Sequence, residues 1–352
     1  MPETVVAGHD EDATSKRRVE MADLKMTLAC WNYDRTRALM DGSVKPEGIE
    51  LTYHNSFPAA TFHRMMGKRE FEASELGLTF YLDTLHEDDP PFVAIPVYPI
   101  RLFCHSAIYI NTNKGIEQPK DLIGKKIGEF FLYGHDAGTW SKGILQDHYG
   151  VPIDSYSNYI GGVERPTPQV PWYKQKPPAH IKVQHIGTET TLDKMLDAGE
   201  IDALFSALVP PSMTRGSKNI ARLFPDFEKA ERDYYKTTCI FPIQHVVAIR
   251  KDVYKANPWV AKSLYQAFKQ SRDKAYEIYR HQAENMHRMF MVPWITQHFS
   301  EMQALLGDDW FPYGLKRNYK PLDTFLRYHH EQGLSKRRFK PEELFVPELL
   351  DE

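Results

Sequence analysis

Apolar and polar positions along this chain switch repeatedly between a period of two and a period near 3.6. Leu24 to Cys30 (LKMTLAC) is a short apolar run ending in the polar tip WNYDRTR, and the helix-spaced TRALMDG that follows is closed by Gly42. This predicts strand, loop, helix. GIELTYHNS alternates as a strand, ATFHRMMGK has helical spacing, and EFEASELGL and FVAIPVYPI read as buried strands. Strands alternating with helices predict βαβ units and a mostly parallel sheet.

The pattern then repeats. KKIGEFFLYG predicts a strand, and TWSKGILQDHYG a helix with Trp140, Ile144, Leu145 and His148 on one face. IKVQHIG is again a strand, TETTLDKMLDAG a helix stopped by Gly199, and EIDALFSALVP a strand broken by Pro210 and Pro211. GGVERPTPQVPWYKQKPPAH between them predicts a long surface loop of the kind that often carries function. FPIQHVVAIRKDVY is a strand expected to return to the first unit. Asn257 and Pro258 cap a long helix whose stripe runs through Val260, Leu264, Phe268 and Ile278.

The architecture implied is α/β with two lobes, each a mostly parallel sheet flanked by helices, and a ligand cleft between them. PKDLIGKKIGEF (119–130) marks entry into the second lobe in the manner of bilobed solute-binding proteins. Lobe 1 is expected over 24–114 and 244–352, lobe 2 over 115–243, and residues 1–23 form a flexible tail. The 352 residues, 42% of them hydrophobic, are enough for two separate cores.

Charge and cysteine content narrow the class. Forty-four basic against 47 acidic residues, net −3, provide no global field for nucleic acid or an acidic membrane surface. Any anion site must be local. Cys30, Cys104 and Cys239 build neither a disulfide framework nor a zinc cluster. Residues 1–23 lack the apolar core of a secretory signal, and no run approaches the length of a membrane span, so a cytoplasmic location is expected. A homo-oligomer is left open.

In open α/β sheets ligands bind beyond the carboxyl ends of strands. That rule selects Asp34 and Arg35, Glu75, Arg101 and His105, the loop YGHDAGT with His135, Asp136 and Thr139, then Ser206 and His245. In YGHDAGT, glycines flank His135 and Asp136 just before a helix, which reads either as an anion cradle or as an ordinary strand-to-helix turn. Arg35 and Arg101 have the planar fork that holds a carboxylate through two hydrogen bonds. Glu75, at a buried strand end, is either a proton donor of raised pKa or half of a structural salt bridge. GxSxG, Walker, GxGxxG and HExxH motifs are all absent, which removes support for serine hydrolase, nucleotide and zincin chemistry.

Long blocks, among them YDRTRALMDGSVKPEGIEL, IRLFCHSAIYINTNKGIEQPKDLIGKKIG and PYGLKRNYKPLDTFLRYHHEQGLSKRRFKPEELF, resemble the 4,5-dihydroxyphthalate decarboxylase family over roughly residues 25 to 347. The resemblance implies a type II periplasmic-binding-protein-like fold used for decarboxylation in aromatic acid breakdown. The small aromatic carboxylate substrate would bind in the cleft; a non-catalytic binding protein for an organic acid is the alternative. One block departs from the pattern, with Cys104 where an arginine is common.

Decarboxylating such a substrate calls for a base near the phenol, an acid near the ring carbon and a cation for the retained carboxylate. His135 or His245 is the expected base, Glu75 the acid, and Asp34, Arg35, Arg101, His105, Asp136, Thr139 and Ser206 the substrate contacts. The catalytic groups are expected to meet only when the lobes close. No organic cofactor is expected. A divalent ion held by His105, His135, His245 and Glu75 is the other way to stabilise the phenolate.

Overall fold

A computed structural model describes residues 23–174, 176–284 and 290–352. The expected tail lies outside the described residues except for Asp23. The strands are β1 (Leu24–Cys30), β2 (Ile49–Asn55), β3 (Ala73–Gly77), β4 (Phe92–Ile95), β5 (Ile108–Asn111), β6 (Lys126–Phe130), β7 (Ser157–Gly161), β8 (Val183–His185), β9 (Ala203–Phe205), β10 (Ile220–Arg222) and β11 (His245–Arg250). Among the described residues they form two sheets, ordered β2-β1-β3-β11-β4 and β10-β5-β9-β6-β7-β8. Each is parallel except at one strand. β11 runs antiparallel between β3 and β4, and β5 antiparallel between β10 and β9.

The apolar runs account for these positions. β3, with every residue buried, is the middle strand of the first sheet and reads as a continuous run rather than an alternation. β1, beside it, keeps Leu28, Ala29 and Cys30 fully enclosed while Lys25 stays outside. Thr191 caps the helix Leu192–Ala198 by accepting from Lys194 N–H, satisfying a donor that the helix itself cannot.

Three expectations are corrected. Strand β5, expected within the first lobe, pairs in the second sheet; a fully buried IYIN run suits either sheet, and its partners are set by tertiary contact. Ile278 is exposed, and the buried face of the helix Trp259–Glu284 continues instead through Ala275 and Tyr276. His329, which looks like solvated surface in its charged setting, is enclosed. Its Nδ1 lies 3.0 Å from Ser335 Oγ, and burial pushes its pKa down to about 3.

The two crossings between the sheets run side by side. Leu102 N–H donates to Pro242 O (3.1 Å), Gln244 N–H to Ile100 O (3.0 Å), and Arg101 bridges Ile243 antiparallel. The helix Tyr319–Glu331 packs on the helix Asp136–Tyr149, with Tyr328 Oη donating to Asp147. The long loop also reaches across: Trp172 Nε1 donates to His63 Nδ1 (3.1 Å), and Lys174 N–H to Asp83 (3.2 Å). Among the described residues no helix is long and apolar enough to cross a membrane.

Candidate active site

Where the crossings meet the lobes, a cavity of about 270 Å³ opens. Its walls are aromatic and aliphatic, with Trp31, Phe57, Phe62 and Phe80 from the first lobe and Phe130 and Phe131 from the second. Five polar residues line it: Arg101, His135, Asp136, Gln244 and His245. A larger groove of about 740 Å³ beside Trp259 holds only scattered surface polar groups.

The polar groups come from a strand start, the paired crossings and a helix start. His245 opens β11, opposite Gly77 on β3, and Gln244 and Arg101 belong to the paired crossings. His135 and Asp136 start the helix Asp136–Tyr149. The turn before it carries Phe131 at φ 70°, a left-handed conformation that is uncommon for an aromatic residue and clusters at functional sites.

His245 is held from behind by Glu75. Its Nδ1 lies 2.5 Å from Glu75 Oε1, while Nε2 lies 3.9 Å from Asp136 Oδ2 at the cavity. Glu75 also accepts from Tyr33 Oη (2.7 Å) and Trp31 N–H (3.3 Å). Burial pushes the Glu75 carboxyl up, but the hydrogen bond and charge of His245, with the Tyr33 hydroxyl, outweigh it and hold the group below the usual carboxylate range. The expected role of Glu75 as an acid of raised pKa is therefore corrected: it is fully enclosed, does not line the cavity and orients His245.

Asp136 has the properties expected of Glu75. It lines the cavity, and burial pushes its carboxyl up against the pull of His245 and of Thr79 N–H, which donates to Oδ1 at 2.8 Å. That bond joins the lobes, and Trp140 Nε1 donates to Ile243 O in the returning crossing (2.8 Å). His135 and His245, expected to meet only on closure, already line one cavity, with Glu75 behind the second.

Arg101 is buried beside it. Its guanidinium donates to Phe241 O (3.0 Å), Pro312 O (2.7 Å) and Asn318 Oδ1, while Nε has no partner and no carboxylate among the described residues lies within ion-pair distance. Burial pulls its pKa down to about 10. Arg101 is the one lysine or arginine among the described residues that line the cavity, which makes it the candidate partner for a ligand carboxylate.

The remaining candidates lie elsewhere. Arg35 pairs with Asp34 at 3.0 Å and donates to Pro99 O, and Asp34 accepts from Tyr279 Oη (2.7 Å); neither lines the cavity. His105 is packed among Tyr149, Phe224 and Tyr234, its pKa lowered to about 4 by burial. It is apart from the other proposed metal ligands, and among the described residues His105, His135, His245 and Glu75 do not form a metal-sized group. Thr139 Oγ1 donates to Gly134 O (3.1 Å), bracing the loop, and Ser206 Oγ donates to Leu208 O (2.8 Å), shaping the Ala207–Leu208 wall. Cys104 is buried in the first core, outside the cavity lining. Gln244 was not among the sequence candidates; its position just before His245 in the returning strand was the available signal.

Two lobes joined by a double crossing, with a ligand-sized cavity at the joint, define a periplasmic-binding-protein-like chain. The periplasmic sulfonate-binding protein SsuA of an ABC transporter from Methylobacillus flagellatus KT matches with a TM-score of 0.55 over 94% of each chain at 14% identity, a likeness of fold. A 4,5-dihydroxyphthalate decarboxylase from Comamonas testosteroni is 32% identical over 333 residues, 94% of this chain and 99% of its own. One from Pseudomonas putida is 31% identical over 224 residues, 63% of this chain and 85% of its own. The chain belongs to the 4,5-dihydroxyphthalate decarboxylase family. No family model matches it.

Proposed function

We propose that this chain removes one carboxyl group from 4,5-dihydroxyphthalate, giving protocatechuate and carbon dioxide in the cavity between the lobes. The 32% identity to the Comamonas enzyme over 94% of this chain carries this reading. The cavity supports it: aromatic walls suit a single ring, and the arginine in its lining, Arg101, suits the carboxylate that stays.

Each carboxylate of this substrate has a hydroxyl para to it. His135, whose Nε2 has no hydrogen-bond partner among the described residues, takes the phenol proton. Electron density moves to the ring carbon bearing the departing carboxylate, and the Asp136–His245 pair delivers a proton there. The bond to the carboxylate then breaks, its electrons restore the aromatic ring, and the phenolate recovers its proton from His135. One proton is consumed overall and refills the acid from water. Apolar walls around the leaving carboxylate favour its loss as neutral carbon dioxide. The chemistry is assigned to side chains alone, without organic cofactor or metal.

Purified chain incubated with 4,5-dihydroxyphthalate is expected to release carbon dioxide and protocatechuate in equal amounts. Calorimetric binding without turnover would overturn the enzyme reading in favour of a solute-binding protein.

A further inference from the structure

Each cavity histidine has a buried glutamate beside its Nδ1. Glu75 Oε1 lies 2.5 Å from His245 and Glu129 Oε1 lies 3.4 Å from His135, and both glutamates are fully enclosed. Their other partners differ. Glu75 is held by neutral donors, Tyr33 Oη, Trp31 N–H and Cys30 Sγ, with no lysine or arginine in ion-pair range among the described residues. Glu129 accepts from Lys142 Nζ through both oxygens at 2.8 Å and from Gly134 N–H at 2.8 Å.

Lys142 is itself fully enclosed, its ammonium 3.7 Å from the centre of the Tyr133 ring. A buried ion pair is a costly way to fill space, and apolar residues of similar volume would often pack as well or better. This pair also needs room: a Cβ at Gly138 would collide with Glu129 Oε1 and His135 Nδ1.

We infer that Lys142 is a positioning residue for the reaction, cancelling the Glu129 charge so that His135 reaches the cavity as a neutral imidazole able to accept a proton. Glu75 has no such counter-ion and sets its carboxylate directly against Nδ1 of His245. The inference rests on the decarboxylase reading for its catalytic meaning, but the charge arrangement does not. The titratable groups around His135 are Glu129 from β6, Lys142 and Asp136 from the helix it starts, Tyr133 from the turn, and His245 and Arg101 in the same cavity lining, with Tyr173 of the long loop near Glu129 and Asp136.

The test compares wild type, Lys142→Met, Glu129→Gln and the double variant, full chain in each case. Nitrogen-resolved NMR follows the His135 imidazole, assigned by its loss in His135→Asn, beside the pH dependence of kcat/KM. Lys142→Met is expected to raise the His135 titration by about one unit or more, and the acid limb of kcat/KM with it, since the Glu129 charge then favours imidazolium. Glu129→Gln is expected to shift both downward, and the double variant to return both near wild type. If Lys142→Met does not fold, the downward shift in Glu129→Gln and its reversal in the double variant carry the test. A His135 titration unchanged in the folded single variants, or a double variant that tracks either one, overturns the inference. The NMR shift does not depend on turnover, so a chain that shows it without decarboxylating loses the proposed function alone.

Discussion

A methyl group on Gly77 would sit 2.5 Å from Oδ2 of Asp136. The glycine on one lobe is the space into which the carboxylate of the other fits. Its φ of −57° is open to any residue, so closeness and not backbone freedom requires glycine here. Gly77→Ala is therefore expected to fold and to displace Asp136 by a fraction of an ångström to an ångström. Misplacement on that scale costs up to about a hundredfold in rate. Steady-state kinetics beside a thermal melt checks this, and an unchanged kcat/KM would separate Asp136 from the chemistry.

Asp136→Asn should trade activity for stability. Burial raises the folded carboxyl above its unfolded value, so its contribution to stability is present below the unfolded value and lost as pH rises through the folded one. Asparagine does not titrate and keeps an oxygen for Thr79 N–H. The variant is expected to melt above the parent at neutral pH and level with it in acid below the unfolded carboxyl range. Turnover should fall by about a hundredfold or more. Equal melting temperatures across the pH range would count against the buried acid.

Glu75→Gln carries the opposite sign. The folded carboxyl is held below its unfolded value, so its stabilisation is present above about pH 4.3 and disappears as pH falls through the folded value. Urea unfolding should find the variant less stable near neutrality, with the gap to the parent narrowing in acid. Turnover should drop about a hundredfold through a misoriented His245. A gap that widens in acid contradicts the assignment.

Arg101→Lys and Arg35→Lys should behave differently. Arg101 borders the cavity without a carboxylate partner, whereas Arg35 is spent on Asp34 and Pro99. A roughly tenfold or greater rise in KM is expected for Arg101→Lys alone, since an ammonium is a point charge and not a fork. Equal effects in both would place the substrate carboxylate elsewhere.

Exhaustive chelation is expected to leave turnover intact. The four side chains that could have formed a metal site are divided, with His105 in an aromatic pocket and the Nδ1 of His245 engaged by Glu75. Activity lost on chelation and regained with a divalent ion would return the ion to the mechanism.

Much of the fold was legible because period and punctuation agree, as in LKMTLAC and in the helix ending at Gly199. In the site, His135, Asp136, His245 and Arg101 were legible as residues at strand ends and crossings. Their roles were not. Whether Glu75 or Asp136 is the raised acid depends on Tyr33, Trp31 and His245 surrounding the first, contacts that span up to 170 residues of sequence. Arg35 and Arg101 look alike in sequence until Asp34 is seen to occupy one of them. Lys142 gave no signal at all: its helix is buried on every side from Asp136 to Leu145, so no polar stripe distinguishes it from a solvated lysine.

β11 enters the first sheet between β3 and β4, and it is the last of the eleven strands to be made. While the ribosome is still building the second lobe, β3 has its bonding edge toward β11 open and Glu75 faces that gap without its histidine. An open strand edge is a template for pairing with other chains. A nascent chain stalled before residue 250 is thus the form of this protein most exposed to aggregation, and the strand that ends the exposure is the one that delivers His245.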